Sequence, residues 1–175
     1  IYEGTNGIQA LDLMARKIPA HDGKPIAELM ARVHSTVENL SGDSQLGGPA
    51  LRLDKAAKQL QETMAEVSQR PDAMQSLMLN AVPFLDMVGT TLAGNFLLEQ
   101  ANLATSKLGQ ILAAKGVDAE DEEAVAGVLK DDEEAAFYHN KIQAATHFAF
   151  RALPMVEALG VGIRAGEMAP ISAHL

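Results

Sequence analysis

Apolar residues recur along this chain at the three-and-four spacing of helices, interrupted at glycines and prolines. From Thr5, the residues Ile8, Leu11, Met14, Ala15 and Ile18 mark one helical face, and Pro19 with Asp22-Gly23 closes the segment. A second stripe opens near Pro25, a favourable first-turn residue, and runs through Ile26, Leu29, Met30, Val33, Val37 and Leu40 to Ser41-Gly42. Gly47-Gly48-Pro49 reads as a loop, and Leu53, Ala56, Leu60, Met64 and Val67 define a third helix after it. From Asp72 one apolar run persists to about Lys115, which predicts a long fourth helix kinked at Pro83 and capped at Gly116. Gly89 and Gly94 inside it are small enough to let a neighbouring helix come close.

The next stretch, Asp118 to Lys130, is a connection or a short helix, and a last long helix opens at Asp131-Asp132-Glu133-Glu134. Carboxylates there suit the positive end of a helix dipole. Ala135, Tyr138, Ile142, Ala145, Ala149 and Leu153 line one face of this helix. Pro154 bends it, and Gly160, Gly162 and Gly166 weaken its end before Pro170. The pattern predicts an all-α fold, an antiparallel bundle of four to five helices, two of them long, with no internal repeat.

Composition agrees. Apolar residues make up 47% of 175 residues and charged residues 21%, enough side chain for a core. Tyr and Phe are few and Trp is absent, whereas strands draw on aromatic and β-branched residues. The absence of cysteine removes disulfides and thiolate metal sites and suits a reducing, cytoplasmic setting. Of the formal net charge of -9, the window Asp118 to Glu134 carries -8, so the acidity is local. No basic stripe is available for phosphates, and nucleic acid is not an expected partner. Leu77 to Leu98 is the most apolar stretch, but Asn80, Pro83, Asp86 and Asn95 interrupt it, as expected of a buried helix rather than a membrane span.

Metal and nucleotide signals are weak. His34 and Glu38 share a face, and His139 and His147 lie two turns apart, but two ligands without a third do not specify a metal. Gly160-Val161-Gly162 has no preceding strand and reads as a frayed terminus rather than a dinucleotide loop. Asp118, Glu120 and Glu122 alternate like calcium ligands without the glycine such a loop needs.

The stronger signal lies in the first residues, IYEGTNGIQALDLMARK. Tyr2-Glu3-Gly4-Thr5, leading into Asn6-Gly7-Ile8-Gln9, resembles the catalytic-base segment of the acyl-CoA dehydrogenases. The resemblance implies that Glu3 removes the α-proton of an acyl-CoA thioester while the β-hydrogen leaves as hydride to N5 of FAD, giving a trans-2-enoyl-CoA. Burial against flavin and acyl chain would raise the pKa of such a base toward neutrality. The same resemblance implies that the backbone N–H of Glu3 and a flavin ribityl hydroxyl polarise the thioester carbonyl. Tyr2 and Gly4 would then touch substrate, while Thr5, Asn6, Gly7 and Gln9 would contact FAD at a helix start for which Thr5 is the expected N-cap. Many relatives carry Gln or Glu where Gly7 stands, so a backbone contact is implied there.

Beyond Ile18, the Tyr138-His139-Asn140-Lys141-Ile142 stretch and Leu153-Pro154 resemble the extra C-terminal domain of a long acyl-CoA dehydrogenase subgroup that includes 3-methylmercaptopropionyl-CoA dehydrogenases. Residues 1–18 would then end the enzyme's core helical domain, and residues 19–175 would form the extension. No initiator methionine precedes Ile1, so a piece of a longer bacterial enzyme is expected, inactive by itself. Its parent would take an acyl-CoA substrate and an electron acceptor and form a homo-oligomer. An acyl-CoA oxidase and a helical interaction or oligomerisation module are the alternatives.

Overall fold

The computed structural model describes residues 4–172, so Ile1, Tyr2 and Glu3 lie outside the described residues, as do the last three. The described chain is α-helical, with no strand among the described residues. Its α-helices are α1 (Thr5–Asp12), α2 (Lys24–Leu40), α3 (Gly47–Ser68), α4 (Ala73–Leu79), α5 (Ala81–Ala114), α6 (Glu122–Asp131), α7 (Glu133–Arg151), α8 (Pro154–Arg164) and α9 (Ala169–Ser172). A π-helical turn, Leu13–Lys17, and a tight turn, Ala20–Gly23, join α1 to α2.

The centre of the fold is α5. Helices α1, α2, α3, α7 and α8 all pack against it. Its length and apolarity would suffice to cross a membrane, but a helix apolar on every side is equally what a core surrounded by other helices requires. Of the buried polar groups along it, the Thr91 hydroxyl donates to the Met87 carbonyl at 2.8 Å and Asn95 Nδ2 donates to Glu99 at 2.9 Å, whereas Asn95 Oδ1 accepts no hydrogen bond from the described residues. Helix α7 runs antiparallel to it, shown by the contacts of Gly94 with Leu153, Gln100 with Lys141, and Lys115 with Asp132. At Gly94 a Cβ would lie 2.7 Å from Leu153 Cδ2, so the missing side chain is what admits that leucine. Leu153 is 1% exposed and belongs to one core with Leu53, Leu60, Met87, Leu98 and Ile142.

Four boundaries differ from the sequence expectation. Gly47-Gly48-Pro49 forms the first turn of α3 rather than a loop. A Cβ on Gly47 would sit 3.2 Å from the Ser41 carbonyl, so the glycine serves a tight α2–α3 link, which Asp43 braces by accepting from the N–H groups of Gln45 and Leu46. The run from Asp72 is divided at Asn80, three residues ahead of Pro83, where the backbone leaves helical geometry (φ -103°, ψ 14°). A proline ring crowds the carbonyl four residues earlier, which here is that of Leu79. Pro154 begins α8 instead of bending a single helix. The Gly160-Val161-Gly162 stretch is intact helix within α8, where Gly160 is buried against the Thr63 hydroxyl of α3.

Gly116 ends α5 as expected, with φ +67° and the Val117 N–H reaching the Leu112 carbonyl at 3.0 Å. The acidic residues are caps and turns: Asp121 accepts from the Ala124 N–H to start α6, and Asp132 from the Ala135 N–H to start α7. Asp118 similarly accepts from the Glu120 N–H.

Candidate functional site

The residues singled out by sequence occupy the first two turns of α1. Gly4 is the N-cap, and Thr5 is the first helical residue, so the expectation that Thr5 caps the helix is not met. No side chain among the described residues caps this N-terminus. Its leading N–H groups point away from the helix body, as they do at every helix start.

Gly4, Thr5, Asn6 and Gln9 are exposed, and Gly7 is half-buried. A Cβ at Gly4 or Gly7 would meet nothing within 4 Å, so neither glycine is required by packing among the described residues. Thr5 and Gln9 stand at i and i+4 on one face, whereas Gly7 is turned to the other side. The structure therefore places these residues around one helix end rather than converging them on a single point. Tyr2 and Glu3 lie outside the described residues.

The buried face of α1 is not the one its spacing suggested. Ala10 is fully buried, and Leu13, Met14 and Ile18 pack on the core, while Ile8 and Leu11 are 66% and 41% exposed. Two features account for this. Ala10 is small and lets α1 dock where a leucine would hold it off. Leu13, Met14 and Ile18 also follow Ala10 at the ordinary spacing of one helical face, so the buried stripe is the one that starts from this alanine. Helix α1 is left with an apolar outer face made by Ile8 and Leu11, continuous with the exposed Thr5.

At the other end of this segment is a groove that the sequence reading passed over. It encloses about 480 Å³ between the π-helical turn, the Ala20–Gly23 turn, α2 and α5, and its rim carries Arg16, Lys17 and His21. Asp12 takes two bonds from Arg16, at 2.6 and 2.8 Å, and a longer contact with Lys17 at 3.3 Å. The Arg16 guanidinium beside it holds the Asp12 carboxyl below its ordinary value. The signal in the sequence was the pair Arg16-Lys17 immediately before an apolar Ile18-Pro19.

A second polar cluster joins α2 to α5. Arg32 binds Glu99 through two bonds, 2.7 and 2.6 Å, and stacks 4.9 Å over the Phe96 ring. The Arg32 guanidinium holds the Glu99 carboxyl below its usual value against the opposing effect of burial, with help from Asn95 and Thr36. His34 contacts Gln61 rather than a carboxylate. Among the described residues, no group of three or more His, Cys, Asp or Glu is arranged to hold a metal ion.

Comparison with known proteins decides the family. The sequence pattern of the family described as acetyl-CoA dehydrogenase C-terminal like matches residues 29–173, most of the chain. The chain belongs to this acyl-CoA dehydrogenase C-terminal family. It is also 28% identical over 163 residues to the broad-specificity linear acyl-CoA dehydrogenase FadE5 of Mycobacterium tuberculosis, an alignment covering 89% of this chain and 24% of that protein. The chain thus spans about a quarter of the length of this relative. The family match starts within α2, downstream of the α1 residues considered above. The all-α bundle and the family expected from the sequence are both met.

Proposed function

We propose that this chain is the C-terminal helical part of a flavin-dependent acyl-CoA dehydrogenase and that its N-terminal segment supplies the base for α,β-dehydrogenation of an acyl-CoA thioester. The observation that carries the proposal is membership of the acyl-CoA dehydrogenase C-terminal family across residues 29–173. Residues 1–18 then close the core helical domain of the enzyme, and residues 19–175 form its extension. Such an enzyme would be a cytoplasmic bacterial homo-oligomer with a separate electron acceptor.

In this reading Glu3 takes the α-proton, and Tyr2 and Gly4 border the substrate. Bound FAD would supply the acceptor for the β-hydride. The open space beside Gly4 and Gly7 lets a flat ligand lie against the backbone, and Thr5 and Gln9 offer a hydroxyl and an amide on one helix face. Asn6 completes the set at the helix start. These residues fit one edge of a flavin nucleotide, not the whole of it, so the 175-residue chain alone is expected to hold no stoichiometric FAD and to be inactive.

The test is made in the longer polypeptide. Replacing Glu3→Gln should lower turnover by roughly a hundredfold to ten-thousandfold while the flavin spectrum is retained, because that is the usual contribution of a general base acting in the transition state and no second carboxylate is assigned to the task. Turnover within tenfold of the unmodified enzyme would place the base elsewhere.

A second reading, a helical assembly module, draws on a specific feature. Phe96 and Leu103 are exposed two turns apart on α5, and Phe137 of α7 is exposed nearby, linked through the Gln100–Lys141 bond of 3.2 Å. Light scattering separates the two: a concentration-independent dimer of this chain alone supports an assembly role, and a monomer opposes it.

A further inference from the structure

We propose that the groove beside the π-helical turn binds a free fatty acid, its alkyl chain along the groove floor and its carboxylate at Lys17. The volume of about 480 Å³ is that of a small-molecule site. Its floor is aliphatic: Leu13, Ile18, Ile26, Leu29, Val88 and Leu92. No Phe, Tyr or Trp lines it, so the apolar contact it offers comes from branched aliphatic side chains, which suit a flexible alkyl chain.

Charge selects the head group. The chain carries a formal net charge of -9, yet the residues lining this groove include Arg16, Lys17 and His21 and no carboxylate. Asp12, just outside the lining, already occupies Arg16 through two short bonds, whereas its contact with Lys17 is single and longer at 3.3 Å. One exchangeable cation next to an aliphatic slot matches a monoanionic amphiphile better than a phosphate, which calls for several cations. In effect Asp12 marks the place where a carboxylate binds, and an incoming one competes with it for Lys17.

The backbone supports the same assignment. A π-helical turn, an arrangement concentrated at functional sites, sets Arg16 and Lys17 at the rim. His21, Asp22 and Gly23 then follow in left-handed conformation, with φ of 49°, 56° and 78°. For His21 and Asp22 this is a strained geometry that the surrounding structure must enforce. The run leads into α2, and Ile26 of that helix lines the same groove as Leu13. Measured along the helix at about 1.5 Å per residue, the rim lies roughly 18 Å from Gly4, so this site is separate from the substrate contact proposed there.

The test uses decanoate below its micelle concentration, with decanol as the uncharged probe, titrated into the 175-residue chain by calorimetry and by displacement of a fluorescent fatty acid. Decanoate should bind about tenfold tighter than decanol, a difference that Lys17→Gln removes without changing decanol binding. Asp12→Asn, which frees both cations, should tighten decanoate several-fold. Ala20→Trp, filling the mouth, should abolish binding of both probes while the far-ultraviolet circular dichroism is unchanged. Equal affinity for decanoate and decanol in the unmodified chain, or decanoate binding unaffected by Lys17→Gln, would overturn the proposal. Because neither result depends on Glu3 or flavin, it is distinguishable from failure of the dehydrogenase reading.

Discussion

The α5–α7 contact and the first turns of α1 are built from the same small residues, and only one of them is closed. Along α5 and α7, Gly94, Ala101, Ala104, Ala145 and Ala149 are all buried, and Leu153 fills the space that Gly94 leaves. In α1, Gly4 and Gly7 face open space, and Ala10 alone is buried. Small residues bring helices together only where they repeat at three-and-four spacing opposite a partner that has something to insert. Where they do not, they leave backbone accessible, as a ligand-contacting segment requires. Stability is concentrated in the first region, and the residues proposed for chemistry lie in the second.

The comparison is broken most directly at its closed end. Leu153→Ala should destabilise the chain by about 2–5 kcal/mol in urea unfolding, the usual cost of emptying a buried leucine site. A loss below about 1 kcal/mol would mean that the α5–α7–α8 contact collapses around the gap and is not the rigid centre described. Asp121→Ala at the N-terminus of α6 should cost about 1 kcal/mol, but locally. Because α6 buries no residue fully, faster hydrogen exchange confined to residues 122–131 is expected, with the global midpoint nearly unchanged.

Acid sharpens the comparison further. Glu99 is held below its ordinary value of 4.5, chiefly by Arg32, so the unfolded chain binds more protons than the folded one as pH falls through this range. The stabilisation is complete above that value and drains away as pH drops through the lowered, folded one. The stability difference between the native chain and Glu99→Gln should therefore shrink on acidification below about pH 4.5. A difference independent of pH would show that the pair with Arg32 is too solvated to matter.

The smallest effect belongs to the open region. Ile8→Ser should change the stability of this chain by less than about 0.5 kcal/mol, since the side chain is 66% exposed. A larger loss would reveal that the outer face of α1 is covered in solution, for instance by a second copy. The same substitution in the longer polypeptide should cost more if that face packs against the rest of the enzyme.

Much of the fold was legible because its signals are local. The stripe Ile26 to Leu40 gave α2 nearly to the residue, Gly116 gave the end of α5, and the acidic run Asp131-Asp132-Glu133-Glu134 marked the start of α7. The failures share a cause: they depend on what lies across the contact. Glycines 47 and 48 look like a loop until the end of α2 is seen to need the space, and Gly160 looks like fraying until α3 is placed beside it. The buried face of α1 escaped notice because alanine is a weak signal of burial even when, as at Ala10, it is fully enclosed. The candidate site was readable as a motif rather than as geometry, and its Tyr2 and Glu3 lie outside the described residues.

By itself the sequence determined the helical class, both ends of α2, the end of α5, the start of α7 and the resemblance of residues 2–9 to an acyl-CoA dehydrogenase base segment, since periodicity, capping and motif order are properties of neighbouring residues. Tertiary structure alone decided which face of α1 is buried, why α5 is apolar all round, and that Arg16, Lys17 and His21 meet an aliphatic groove formed with α2 and α5. Burial and charge at those places are set by residues far away in the chain, as Leu92 is from Leu13, and no local pattern encodes a neighbour that only folding supplies.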